Sequence, residues 1–133
     1  MINKNDIEQF VRKTLGCTCP EQVFQHIECK ADVGVGDNII LCYEINIGNK
    51  LLIFVFKADD IIMDQLGPFI SQLVAAGTSK RDERGFNRLR LVLVCKTPDS
   101  IADKILAVFN SLDVDDDHVH LHVIGEHGFD QIE

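Results

Sequence analysis

No stretch of this 133-residue chain approaches the roughly 18 consecutive apolar residues needed to cross a bilayer. The opening MINKNDIEQF has no apolar core that would serve as a secretory signal, so a cytoplasmic protein without a membrane partner is expected. A basic excess is also missing. Lys and Arg number 13 against 21 Asp and Glu, giving a formal net charge of −8. Nucleic-acid binding and binding to anionic membranes both need a basic surface, so neither is expected. The five cysteines are odd in number and fall mostly in expected helices and strands. That is not a disulfide framework, and reduced thiols follow. The glycines of Val33-Gly-Val-Gly-Asp37 lack the spacing and the lysine of a phosphate loop. Asp113, Asp115, Asp116 and Asp117 lack the spacing of an EF-hand loop. No internal repeat, low-complexity segment or linker divides the chain. With 46% hydrophobic residues it has ample material for one core, and a single domain over 1–133 is expected.

The chain is organised around Asn38 to Lys57, NIILCYEINIGNKLLIFVFK. Two apolar, β-branched and aromatic runs flank Gly48-Asn49, a strong hairpin signal. A two-residue turn would set Ile47 opposite Lys50, Ile45 opposite Leu52 and Tyr43 opposite Phe54. Ile39, Leu41, Tyr43, Ile45, Leu52, Phe54 and Phe56 would then share one face, with Cys42, Glu44 and Asn46 on the other. The second strand is apolar on both sides and reads as interior, the first as nearer an edge.

Ile7, Phe10, Val11 and Leu15 recur at helical spacing before Gly16. Pro20 suits the start of a second helix through Val23, Phe24 and Ile27, with 30–37 a strand-like lead into the hairpin. After the hairpin, a helical pattern from Asp59 is interrupted by Gly67-Pro68 and expected to stop at Gly77, leaving 78–87 as a charged connection. A strand over Arg88–Cys95, a helix opened by Pro98 and a last strand, HVHLHVI, complete the chain. The order α-α-β-β-α-β-α-β implies an α/β (α+β) fold. Its single mixed sheet has about four strands, an antiparallel hairpin plus two right-handed parallel additions.

Three clusters could carry chemistry. His118, His120 and His122 would share one face of the last strand, opposite Val119, Leu121 and Val123. Two of the three could hold a zinc or iron ion, with a third ligand from Glu44, Cys42 or Asp115 to Asp117. All three could not, because the α-carbons of His118 and His122 stand roughly 13 Å apart. The commoner use of such histidines is a half-solvated strand face or an oligomer contact. Cys17 and Cys19 precede a helix, where amide dipoles favour thiolate. A C-x-C pair nevertheless makes a strained disulfide, and a cap with small buried cysteines suffices. Adding His26 and Cys29 makes no zinc site if 20–29 is one helix, since Cys19 and Cys29 would lie about 15 Å apart. Lys80, Arg81 and Arg84, beside Arg88 and Arg90, could grip an anion, although a solvated connection with internal ion pairs is commoner.

Polar residues alternate with apolar ones in three strands. If their polar faces coincide, Glu44, Arg90 and His120 converge, with Arg88, His118 and His122, on one mixed surface needing a cover. The leading expectation is a binding or assembly domain using that face for a homodimer, a protein partner or a ligand. Metal binding, extending to metal-assisted hydrolysis, is the alternative, and thiol redox or thiol transfer the third. No nucleophile, base and orienting group can be assigned together, so enzymatic activity is left open.

Overall fold

The structure, a computed structural model, describes residues 4–14, 21–35, 39–57, 66–95, 98–112 and 118–125. Helix α1 (Lys4–Gln9) continues into a π turn at Phe10–Thr14, and a 3-10 turn covers Glu21–Gln25. Then come β1 (Ile27–Val35), β2 (Ile39–Ile47), β3 (Leu51–Lys57), α2 (Leu66–Arg84), β4 (Arg88–Cys95), α3 (Pro98–Ser111) and β5 (Val119–Gly125). The sheet order is β1-β2-β3-β4-β5. β1, β2 and β3 are antiparallel, and β4 and β5 are added in parallel. The mixed α+β sheet is as expected, with β1 as a fifth strand. The expected second helix is cut short, because the chain turns to strand at Ile27 and pairs along β2.

The hairpin turn forms at Gly48 and Asn49, with φ of 61° and 57°, and Lys50 N–H donates to the Ile47 carbonyl at 3.1 Å. Asn46 and Asn49 lock it through side-chain bonds of 2.8 and 2.9 Å. The register is one residue off the expected one, with Ile47 opposite Leu51, Ile45 opposite Ile53 and Glu44 opposite Phe54. Lys50 is the extra residue. Its carbonyl accepts the N–H groups of Asn87 and Arg88, at 2.8 and 3.1 Å, so it serves the entry to β4 instead of the hairpin ladder. A slip of one reverses every facing assignment across β2 and β3.

Two cores result. On one face, Ile45, Ile47, Leu51, Ile53, Val55, Val92 and Val94 pack under Ile7, Phe10, Val11 and Phe24 of the N-terminal segment. On the other, Leu52, Phe54, Leu89, Leu91 and Leu93 pack under Ile70 and Leu73 of α2 and Ile105 of α3. Val35, Ile39 and Leu41 belong to this second core although they share parity with Ile45. The β1–β2 ladder turns over near Asp32, whose φ is 54°, a left-handed conformation that Asp tolerates better than most residues.

Helix α2 runs through Gly77 to Arg84, so the stretch expected to be a charged connection forms its last turns. Gly77 is there for closeness: a Cβ would stand 2.6 Å from Leu89 Cδ2. The stop is Gly85, with φ of 76°. Gly85 N–H donates to the Asp82 carbonyl at 3.3 Å and Phe86 N–H to that of Arg81 at 2.9 Å, a Schellman cap with Phe86 as its buried apolar residue. Among the described residues no helix is long and apolar enough to cross a membrane.

Candidate anion-binding cleft

Glu44, expected beside Arg90 and His120, lies on the opposite flank. It pairs across from Phe54 and is 3% exposed, with Lys80 Nζ 2.9 Å and Arg84 Nη1 3.6 Å from its Oε1. The common surface expected for Glu44, Arg90 and His120 therefore does not form. The one-residue slip at Lys50 carries Glu44 to the α2 side. Two of the three expected anion-gripping cations, Lys80 and Arg84, are consequently turned to this internal carboxylate.

Arg90 and the histidines do share a face. Arg90 pairs with His120 across β4 and β5, and Val92 with His122. Val119 is buried, and Leu121 and Val123 pack against the α2/α3 core, as their alternation with the histidines requires. Arg90 is nearly buried, and its Nη1 stands 2.8 Å from His122 Nε2. Arginine can only donate, so that nitrogen is the acceptor and the proton sits on Nδ1. Burial, then the charge of Arg90 and the neighbouring His120, lower the His122 pKa from 6.5 to about 4. His120 is shifted down by burial and then by Arg90, Arg88 and His118. The charges acting on it are all of one sign: this strip is locally positive on a chain that is acidic overall.

That arrangement is unfavourable for the expected metal. Among the described residues no three His, Cys, Asp or Glu side chains are grouped so as to hold an ion. Cys42 sits on β2, three strands and about 14 Å from β5, and Glu44 is on the other flank. A second cation would also meet the Arg90 guanidinium at His122. Cys17, Cys19 and Asp115 to Asp117 lie outside the described residues. Cys29 is half-buried in β1, not in a helix, and burial pushes its thiol up to about 11, far from a reactive thiolate.

The cap of α2 and the amino ends of β4 and β5 border an open cleft of about 540 Å³, lined by Arg81, Asp82, Phe86, Asn87, Arg88 and His118. Arg81 was among the expected anion-binding residues, and Arg88 and His118 among the expected surface residues. The sequence reading missed Phe86 and Asn87, which Gly85 could have signalled as a helix stop with a buried residue behind it. The Schellman cap brings Arg81 beside Phe86, and Leu89 N–H donates to the His118 carbonyl at 2.9 Å, anchoring His118 next to Arg88. Arg81 is held by Asp82, with Nη2 and Nε at 3.0 and 3.1 Å from Oδ1. Arg88 is exposed and makes no ion pair among the described residues. Among the described residues, the lining carries two guanidinium groups and one carboxylate.

No family model matches this chain, and neither a curated protein nor a solved structure does.

Proposed function

We propose that this is a small-ligand-binding domain whose cleft takes an anion at the exposed Arg88 guanidinium, with Arg81 and His118 alongside. The observation that carries the reading is that three elements, the end of α2 and the starts of β4 and β5, each bring one nitrogen-bearing side chain to a single cleft of ligand size. Guanidinium groups recognise phosphate and carboxylate through paired N–H donors. Binding through an exposed guanidinium is weak to moderate and falls with salt. Isothermal titration with pyrophosphate and citrate, on wild type and Arg88→Ala, tests it. Saturable binding lost about tenfold or more in the variant supports the reading. No saturation with either anion up to about 10 mM, well above a Kd of 1 mM, would sink it.

A second reading, assembly of two copies, is favoured by β5. This edge strand of Val, Leu, Val and Ile is half-exposed from Leu121 to Gly125, whereas the other edge, β1, carries exposed Glu28, Lys30 and Asp32. An apolar edge without charged residues invites pairing with another strand.

A further inference from the structure

We infer that a second copy of this chain seats on two levels: its β5 continues the sheet beyond the β5 edge, and its α3 packs against the outer flank of α3. This rests on the two-copy reading and names the surface that the partner covers. β5 ends the sheet, and among the described residues no strand pairs with its outer side. It is seven residues long, about 23 Å of edge. In a layer about 10 Å thick that is a few hundred Å², short of the roughly 800 Å² per partner of a stable interface. A stable pair of copies therefore needs a second layer.

Helix α3 supplies it. It rests on β4 and β5 and is the outer helix of its layer, with α2 on its inner side. Ile105 is fully buried against the sheet. At about 100° per residue, Ile101 and Val108 fall to one side of Ile105, and Ala102, Leu106 and Phe109 to the other. A right-handed β4-α3-β5 crossover turns the first pair towards α2 and the second set out over the β5 edge. Exposure agrees, for Leu106 is one of two exposed large apolar side chains among the described residues, at 37%. Leu121 and Val123 lie on the same side of the sheet, so an uncharged apolar strip runs from the strand edge onto the helix. The occupant follows from spacing. An antiparallel β5 pair about a two-fold axis normal to the sheet sets the strands about 4.8 Å apart and keeps both α3 helices on one face. With each α3 over the gap between its own β4 and β5, the helix axes stand two strand spacings apart. That is about 9.6 Å, within the range of about 8–10 Å for packed helices. A lone peptide strand added at the edge would leave Leu106 uncovered.

Sedimentation of the full chain and of Leu106→Glu, Ala107→Glu and Val123→Lys decides the matter. Leu106→Glu should weaken the dimer about tenfold or more, the loss of one central apolar contact. Ala107→Glu adds the same charge on the exposed outer side of α3 and should leave the dimer unchanged. Dimer loss in Val123→Lys but not in Leu106→Glu would overturn the helix contact while leaving strand pairing standing. Equal weakening by Ala107→Glu would also overturn it, because added charge alone would then be the cause. A wild type still monomeric at about 1 mM would remove the two-copy reading itself and leave the strip to a different partner. Circular dichroism of each variant separates lost assembly from lost fold. If Leu106→Glu is unfolded, Leu106→Gln takes its place.

Discussion

His122 is the residue whose surroundings most change its chemistry. Folded, its pKa is near 4; unfolded, it returns to about 6.5. The unfolded chain therefore binds the extra proton first as pH falls. Stability is complete above about pH 6.5 and lost as pH drops towards 4. At 1.36 kcal/mol per pKa unit, and discounting for the partial exposure of the ring, this amounts to about 1–3 kcal/mol. Urea unfolding of wild type and His122→Gln at pH 7 and pH 4.5 measures it. The variant, which cannot titrate at this position, should lose less than the wild type over that span. Equal losses would show that burial beside Arg90 does not depress the proton affinity of His122. The histidine row was legible because alternation with Val119, Leu121 and Val123 survives any strand order. What the row contacts was not, since Arg90 reaches it only through the β4–β5 register.

At the scale of elements, α2 shows how an ion pair can seat a helix. Its Lys80 and Arg84, one turn apart, close on Glu44 in the middle of β2, and Lys80 also stands 5.9 Å above the Phe54 ring. Removing one partner of a buried pair is costly, and here Lys80 keeps partial access to water. Glu44→Ala should therefore destabilise by about 2–3 kcal/mol, near the lower end for buried pairs. Lys80→Ala should cost less, because Arg84 remains. Chemical denaturation of the two variants checks this, and a loss below about 0.5 kcal/mol for Glu44→Ala would reduce the pair to a surface contact. The apolar runs of β3, β4 and β5 and the Pro98 helix start could be read from sequence alone. The length of α2 could not, because Gly77 looks like a stop until Leu89 is seen pressed against it.

At the scale of the whole molecule, the two sheet edges differ in kind. β1 protects itself with charge and with a left-handed residue at Asp32, while β5 ends the sheet with half-exposed aliphatic side chains beside its imidazoles. Pairing of two β5 strands would join two sheets about a two-fold axis, the commonest oligomer symmetry. Sedimentation at rising concentration should then show a dimer, and Val123→Lys should return it to monomer. A wild type that stays monomeric at the highest concentrations removes this reading. The cleft proposed to bind an anion lies at the amino ends of β4 and β5, away from the carboxyl ends where open α/β sheets usually bind ligands. It exists because α2 is capped immediately before β4 begins.

The sequence by itself determined the last four strands of the sheet, the central place of β3, the parallel addition of β4 and β5, and the common face of the histidines. These follow from periodicity and turn chemistry, which act over a few residues. Only the tertiary structure decided which polar groups meet. A single peptide, Lys50, accepts two N–H groups from the start of β4, and that long-range demand shifts the hairpin by one residue. Because side chains alternate every second position, the shift sends Glu44 to one flank of the sheet while Arg90 and the histidines stay on the other.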